Sequence, residues 1–345
     1  MFFWKGFQLK KLVFVYVILI SAFLINLVNY QSQEIPAGSN EKGEVIQGEI
    51  DEKYVMVTFQ VGNDYWKNVL KGFEDAANNL NVLVEYRGAT QYDVNEQITV
   101  MEQVIAKKPS GIALSSIHPD ALNVTINKAI DAGIPVVLFD SDAPDSKAYS
   151  FLGTNNYNAG VLAAHEMAEL VDKSGKVAVI TLPKQQNHID RSKGFKETMD
   201  KFYPEIEMIA VKDGKGDQLV SRKAALDLLA RNPDLKGIFA TEANGGVGVG
   251  EATLSLKKDE QVKIVSFDTD KQTLDMVKDG TIAATVAQGT WNMGFWSLQY
   301  LFQLQHDVIK PQNAHQDTEG LPAVPAMDTG ITIVTRKNIE SFYAK

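Results

Sequence analysis

Two short stretches decide the fold of this chain, because they end in the same way: Phe139-Asp140-Ser141-Asp142 and Phe267-Asp268-Thr269-Asp270. Each stretch closes an apolar run of strand length. Upstream of each run, a predicted helix carries the same three residue types, Lys71-Gly72-Phe73 in the first half and Lys193-Gly194-Phe195 in the second. Because both matches occur in the same order, the sequence predicts a lobe that is present twice.

Short apolar runs alternate with helical patterns on both sides of these stretches. In the first half, residues 54–61 predict a strand, and residues 66–80 place apolar side chains at the spacings of an amphipathic helix. In the second half, predicted strands at 176–182, 237–241 and 262–267 alternate with predicted helices at 191–202, 219–231 and 247–256. Such alternation is typical of parallel sheets flanked by helices. The predicted fold class is therefore α/β, with two Rossmann-like parallel-sheet lobes.

The N-terminal segment has the composition of a membrane anchor. Lys5, Lys10 and Lys11 precede an apolar run, residues 12–28, whose length is at the short end for a spanning helix. A cleaved signal peptide has the same order of charged and apolar residues and stays the alternative. We expect residues 1–30 to form an uncleaved single-pass transmembrane anchor, with its lysines in the cytoplasm. Residues 31–53 have no apolar period and are expected to form a linker.

The composition excludes several classes of function. The chain has 345 residues and a net charge of -9, which repels phosphate backbones, so no nucleic-acid partner is expected. The absence of cysteine excludes disulfides, thiolate metal sites and cysteine nucleophiles. His118, His165 and His188 lie at unrelated places and are interpreted as surface or cap residues. We therefore expect no metal, no cofactor and no enzymatic activity.

A dinucleotide-binding enzyme is the main alternative to a binding protein. Gly246-Val247-Gly248-Val249-Gly250 follows a predicted strand, and Asp268 lies downstream, as in NAD-dependent enzymes. However, the third glycine comes one position earlier than the G-x-G-x-x-G pattern requires. An NAD-dependent enzyme is therefore ranked below a receptor.

Polar and aromatic side chains follow the predicted strands of both lobes. The carboxyl ends of parallel strands form the edge at which such sheets bind ligands, so two lobes that face each other by these edges make a cleft. The candidate ligand-binding residues at this edge are Asn63, Tyr65, Trp66, Asp140, Arg191, Glu242, Asn244, Asp268 and Gln288. Planar polar groups that bond two hydroxyls, together with aromatic rings that cover an apolar ring face, are suited to a sugar.

Each candidate also has a purely structural interpretation. Aspartate and asparagine after a strand are common helix caps. Tyr65 and Trp66 have the alternative of ordinary packing aromatics, since Trp66 fits the apolar stripe of its helix. Arg191, which is predicted to begin the first helix of the second half, has the alternative of a surface ion pair with Asp190 or Glu197.

In these features the chain resembles the ribose/galactose/xylose class of periplasmic sugar-binding proteins, over residues 54–339. The motifs that carry the resemblance are Gly62-Asn63-Asp64-Tyr65-Trp66, Gly111-Ile112-Ala113-Leu114-Ser115-Ser116, Ala132-Gly133-Ile134-Pro135-Val136-Val137, Asp190-Arg191-Ser192-Lys193-Gly194-Phe195, Val265-Ser266-Phe267-Asp268 and Ala284-Thr285-Val286-Ala287-Gln288. The resemblance implies a type I periplasmic binding protein, whose two lobes are joined by a three-stranded hinge and close on the sugar. It also implies that Tyr65 and Trp66 stack on the sugar, and that the polar candidates bond its hydroxyls.

The resemblance further implies the lobe boundaries. The N-terminal lobe is expected at 54–154 plus 289–326, and the C-terminal lobe at 155–288 plus 327–345, with crossings near 154–156, 288–291 and 326–329. This family often has asparagine where Glu242 falls, so either Glu242 or Asn244 takes that role. It often has arginine where Ser141 stands, which removes one strong donor.

The anchored form resembles membrane-bound xylose sensors that partner a histidine kinase. This resemblance implies a monosaccharide ligand, with xylose as the expected sugar, and an extracytoplasmic binding domain at the cell membrane. The expected role is signalling to the sensor kinase of a two-component system. The alternative is the substrate-binding component of an ABC sugar transporter, which delivers the sugar to a permease.

Overall fold

The computed structural model describes residues 47–49, 51–311 and 321–343. The predicted anchor, residues 1–30, and the linker residues 31–46 lie outside the described residues. Within the part of the chain that the structure describes, no helix is long and apolar enough to cross a membrane.

Strands and helices alternate along the chain. The first half contains β1 (Lys53–Thr58), α1 (Tyr65–Leu80), β2 (Leu83–Gly88), α2 (Val94–Ala106), β3 (Gly111–Leu114), α3 (Asn123–Asp131), β4 (Val136–Phe139) and β5 (Phe151–Gly153). The second half contains α4 (Asn156–Leu170), β6 (Gly175–Thr181), α5 (Gln186–Phe202), β7 (Ile206–Asp213), α6 (Gln218–Arg231), β8 (Leu235–Ala240), α7 (Ala243–Ser255), β9 (Lys263–Phe267), α8 (Lys271–Asp279) and β10 (Ala284–Gln288). The chain then forms α9 (Thr290–Gln305), β11 (Ile309–Lys310), β12 (Leu321–Pro322), β13 (Ala326–Asp328), β14 (Ile331–Val334) and a 3-10 turn (Ile339–Ser341).

Twelve of the strands form two six-stranded sheets with the same order, and β11 and β12 pair separately. One sheet runs β13-β5-β4-β3-β1-β2, and the other runs β14-β10-β9-β8-β6-β7. Neighbouring strands are parallel in both sheets, except that β14 is antiparallel to β10. The central strands are buried on both faces, as parallel strands covered by helices must be. The prediction of two parallel α/β lobes is confirmed.

The chain passes between the two sheets three times. It leaves the first sheet after β5, returns after β10 and leaves again after β13. Ala326, Met327 and Asp328 pair with β5 in the first sheet, so the third crossing comes after Asp328. The expected lobe boundary after Ala326 is therefore too early, because this strand completes the first sheet before it crosses.

The repeated Lys-Gly-Phe motif has a structural reason in helix packing. A Cβ atom on Gly72 of α1 would lie 2.0 Å from the carbonyl oxygen of Trp291 in α9. A Cβ atom on Gly194 of α5 would lie 2.1 Å from the carbonyl oxygen of Tyr157 in α4. In each lobe, one pair of helices crosses backbone to backbone, and a residue without a side chain is required at the crossing.

Candidate functional site

A cavity of about 760 Å³ lies between the carboxyl ends of the two sheets. All nine candidate residues line it: Asn63, Tyr65, Trp66, Asp140, Arg191, Glu242, Asn244, Asp268 and Gln288. The fold therefore brings together side chains from six separate strand ends. A cavity of this size is within the range of small-molecule sites.

Asp140 and Asp268 occupy equivalent positions at the ends of β4 and β9. Both have a left-handed backbone, with φ of 60° at Asp140 and 70° at Asp268. This conformation is uncommon for residues other than glycine, and strain of this kind concentrates at functional sites. Neither side chain caps the following helix, because Asp270 caps α8 and Asp140 bonds within the cleft. The helix-cap interpretation of these two aspartates is wrong.

A chain of hydrogen bonds joins the two lobes across the cleft. The Tyr65 hydroxyl donates to Oδ1 of Asp140 at 2.7 Å within the first lobe. Nε2 of Gln288 donates to Oδ1 of Asp268 at 2.6 Å and lies 3.3 Å from the Tyr65 hydroxyl. Tyr65 of the first lobe therefore reaches Gln288 at the hinge end of β10.

Arg191 lies in the buried centre of the cleft. It is 1% exposed, and its guanidinium packs 3.7 Å from the centroid of the Phe267 ring. Its Nε donates to Oδ1 of Asn156 at 2.9 Å, Nη1 to the carbonyl of Thr241 at 2.8 Å, and Nη2 to Oε1 of Gln288 at 2.9 Å. The interpretation of Arg191 as a surface ion pair is therefore wrong.

The predicted helix boundary at Arg191 is also wrong. The helix α5 begins at Gln186, so Arg191 lies inside it rather than at its first residue. Apart from the exposed Ile189, the helix residues before Arg191 are polar and give no apolar period, although two of them, Asn187 and His188, are buried.

Burial dominates the electrostatics of the cleft carboxylates. Burial raises the pKa of Asp268 to about 6, although Arg191 and the hydrogen bond from Gln288 lower it. Burial also raises the pKa of Glu242 to about 7, and the nearby charge of Asp268 adds to this effect. The pKa of Asp140 is raised overall, because burial outweighs the hydrogen bond from Tyr65, which lowers it. Each group loses hydration that its neighbours replace only in part.

Three other candidates use part of their polar capacity within the protein. The indole nitrogen of Trp66 donates to the carbonyl of Phe59 at 2.8 Å, and its ring packs edge-on against Tyr65. Oδ1 of Asn63 accepts from the backbone amide of Tyr65 at 3.0 Å. Nδ2 of Asn244 donates to the carbonyl of Gly216 at 3.0 Å, while Glu242 accepts from no side chain. Of the alternatives Glu242 and Asn244, Glu242 is thus the freer to bind a ligand.

His188 is a cleft residue that the sequence interpretation missed. It is 5% exposed, lines the cavity, and its Nδ1 lies 2.8 Å from the hydroxyl of Thr241. Burial and the nearby charge of Arg191 lower its pKa well below the ordinary value, which favours the neutral ring. Its interpretation as a surface or cap residue is wrong. The available signal was its spacing of three from Arg191, which places both on one helix face.

The glycine-rich segment of the enzyme alternative lies inside α7. Gly246, Gly248 and Gly250 are helical and buried, and they allow close packing against Ser266, Gln218 and Met276. A dinucleotide fingerprint requires its glycines in the turn between strand and helix. This segment therefore serves helix packing and does not form a phosphate-binding turn.

Comparison with known proteins places this fold in a family. The periplasmic binding protein domain matches residues 54–306. A sugar ABC transporter (sugar-binding protein) from Bacillus halodurans is 62% identical, with a TM-score of 0.78 over 85% of this chain and 100% of that one. AraP, an arabinose binding protein from Geobacillus stearothermophilus, is 64% identical, with a TM-score of 0.75 and the same coverage.

A more distant relative matches most of the chain in sequence. The xylose/arabinose-binding protein XylF of Sulfolobus acidocaldarius is 25% identical over 89% of this chain and 79% of its own length. All three relatives are named as binding proteins. With the domain match, the two lobes and the three crossings together, the chain belongs to the periplasmic binding protein family, whose binding domain is extracytoplasmic.

Proposed function

We propose that this protein is a receptor that closes its two lobes on a pentose, with arabinose as the preferred sugar. The observation that carries the proposal is the interlobe cavity, in which Asp140, Arg191 and Asp268 converge from opposite sheets. Charged hydrogen bonds to neutral hydroxyls contribute roughly 1.5–3 kcal/mol each. Three such groups supply the directional contacts that a small polyol needs.

The choice of sugar rests on the relatives. AraP is named as an arabinose binding protein and is 64% identical to this chain, and XylF is named for both xylose and arabinose. Arabinose therefore replaces xylose as the first ligand to test, and xylose becomes the second. Ser141, fully buried beside Asp140, leaves this corner of the cleft without a cation and bears on the preference between them.

Eight of the nine cleft residues have the following proposed roles. Asp140 and Asp268 accept hydrogen bonds from sugar hydroxyls on opposite sides of the ring, Gln288 and Asn63 bond further hydroxyls, and Asn244 lies at the edge of the site. Tyr65 and Trp66 supply the aromatic wall. Arg191 keeps Gln288 in place and donates to the sugar with the part of its guanidinium that faces the cavity.

Calorimetry on residues 48–345, which form one compact unit, tests the proposal directly. The fragment is titrated with arabinose, xylose, ribose, glucose and galactose, and NAD serves as a control. We expect micromolar binding of arabinose. If a folded fragment binds no sugar, the proposed ligand class is wrong, and binding of NAD would restore the enzyme alternative.

We further propose that the receptor is tethered by residues 1–30 and signals to a membrane histidine kinase. The support is the lysine-flanked apolar run of residues 12–28 in the sequence. The alternative, delivery to an ABC permease, is supported by the Bacillus halodurans relative, which is named as part of a sugar ABC transporter.

Deletion of the gene separates these two roles. A sensor is required for the pentose-induced transcriptional response, whereas a transporter component is required for uptake of labelled pentose from an induced cell. Fractionation tests the tether: full-length protein in the membrane supports it, and a mature N-terminus near residue 32 contradicts it.

A further inference from the structure

The lining of the cleft has an excess of negative charge. The buried Asp140 and the half-buried Glu242 and Asp268 line it together with a single buried guanidinium, that of Arg191. Among the described residues that line the cavity, the other cation is Lys271, whose side chain is 81% exposed and pairs with Asp275. Three carboxylates therefore face one cation once the lobes close.

Arg191 does not form an ion pair with any of these carboxylates. Its three hydrogen bonds go to neutral acceptors, the side-chain oxygens of Asn156 and Gln288 and the carbonyl of Thr241. The carboxylates instead rely on neutral donors: Tyr65 and Ser115 serve Asp140, and Gln288 serves Asp268. The excess charge is therefore not neutralised by contact.

Glu242 has the weakest support of the three carboxylates. It is the N-cap residue of α7, and its side chain makes no capping hydrogen bond there. The charges that face it are those of Asp268 and Asp270 from the β9–α8 turn and that of Arg191 from α5. His188, also on α5, is held neutral by burial. Two acidic neighbours and burial outweigh one guanidinium and the helix N-terminus, and they raise the pKa of Glu242 to about 7.

We infer that Glu242 is a proton-carrying specificity residue, which enters the closed cleft as a neutral carboxyl group and donates a hydrogen bond to an oxygen of the sugar. The inference rests on the proposed function, because it concerns the same cleft and the same ligand. Its consequence is that sugar binding takes up a proton.

The direction of the pH dependence follows from the two states of the cleft. We assign Glu242 a hydrated carboxylate with an ordinary pKa in the open cleft, whereas burial in the cleft of this structure raises that pKa to about 7. The closed state therefore holds more protons between these values. Sugar affinity falls as the pH rises from about 5 to 7, by at most about tenfold per pH unit for one proton. Asp268 contributes in the same direction at the lower end, since its pKa is raised to about 6.

The test is calorimetry of arabinose binding at pH 6.5 in phosphate and in Bis-Tris, two buffers with different ionisation enthalpies. The difference in observed enthalpy gives the number of protons taken up. We expect about 0.5 to 1 proton for the wild-type protein, because Glu242 is largely ionised in the open state and largely protonated in the closed state.

Glu242→Gln keeps the shape and the donor but cannot titrate. We expect its arabinose affinity to lose most of the pH dependence of the wild type, and its proton uptake at pH 6.5 to fall by at least half. The matched control is Glu251→Gln, which changes a glutamate of the same helix that bonds Gln218 outside the cleft. The control should keep the wild-type proton uptake.

The outcomes separate the two proposals. Arabinose binding without proton uptake, or with equal uptake in the wild type and Glu242→Gln, overturns the inference and leaves the pentose receptor standing. If the folded protein binds none of the sugars, the proposed function fails and this inference fails with it.

Discussion

The two lobes share a scaffold down to single side chains. Gly72 and Gly194 sit at equivalent helix crossings, and Asp140 and Asp268 share a left-handed backbone at equivalent strand ends. On the outer faces, Trp291 donates to Asp75 in the first lobe, and Tyr157 donates to Glu197 in the second. Alignment on the Lys-Gly-Phe motif makes Asp75 and Glu197 equivalent, and Trp291 and Tyr157 are the residues whose carbonyls lie against Gly72 and Gly194. Contacts that hold helices together have thus been kept in both copies.

The lobes differ where the same helix faces the cleft. In the alignment on the same motif, Tyr65 is equivalent to Asn187, Trp66 to His188, and Val69 to Arg191. Val69 and Arg191 are both fully buried, but one is an aliphatic core residue and the other is the cation of the site. The scaffold thus sets which positions face the ligand, while substitutions at a few of them give one lobe aromatic walls and the other charge.

Exchanging the residue at this equivalent position should have the largest effect. Arg191→Val gives the second lobe the residue of the first. It leaves oxygens of Asn156, Thr241 and Gln288 without a donor and removes the one central cation. We expect arabinose affinity to fall at least about a hundredfold, or roughly 3 kcal/mol, measured by calorimetry.

Two further variants show which property of Arg191 matters and whether the loss of affinity is specific to this position. Arg191→Lys keeps the charge but loses the planar fork, so we expect an intermediate loss of affinity. Arg231→Ala removes an exposed arginine paired with Asp227 and should leave affinity unchanged. Unchanged affinity in Arg191→Val, with thermal unfolding like that of the wild type, would place the binding site elsewhere.

The shared helix crossings can be broken in either lobe. In Gly72→Ala and Gly194→Ala, the new methyl group meets a backbone carbonyl at 2.0 and 2.1 Å, so the helices must separate. We expect each variant to lower the free energy of unfolding by about 1–3 kcal/mol, measured by urea denaturation. Gly62→Ala is the control, because no atom lies within 4 Å of the position that its methyl group would take. Equal stability of all three variants would show that the crossings tolerate separation.

Removing the aspartate at either equivalent strand end tests whether both lobes hold the ligand. Asp140→Ala and Asp268→Ala should each weaken arabinose binding by at least about tenfold, because each removes a charged acceptor. Asp140→Ala should also lower stability more, since it leaves donors of both Tyr65 and Ser115 unpaired whereas Asp268 bonds Gln288 alone. Calorimetry and thermal unfolding measure the two effects. A loss of affinity in only one variant would mean that one lobe dominates binding.

The sequence predicted the parts of this molecule that local pattern determines. Apolar periodicity and the repeated motifs indicated two parallel-sheet lobes, and the rule that ligands bind at strand ends identified nine residues that line one cavity. The rest depended on partners far away in the chain. Arg191 is buried because Asn156, Thr241 and Gln288 accept its hydrogen bonds, and no local pattern shows those partners. His188 was missed for the same reason, since its partner Thr241 is also distant in the chain, and its spacing of three from Arg191 was the one local signal.

The smallest expected effect concerns the outer face of the first lobe. When Gly294 is aligned with Gly160, Trp296 of α9 is equivalent to Leu162 of α4. Trp296 is 39% exposed and makes an edge-on contact with the Phe295 ring. Trp296→Leu makes the two faces alike at this position. We expect the free energy of unfolding to fall by less than about 1 kcal/mol, because part of one aromatic contact is lost at the surface. Arabinose affinity should stay unchanged, because the residue lies on the helix face away from the cleft. A clear loss of affinity in a stable variant would show that this helix face is coupled to closure, and the two lobes would then differ in more than their cleft residues.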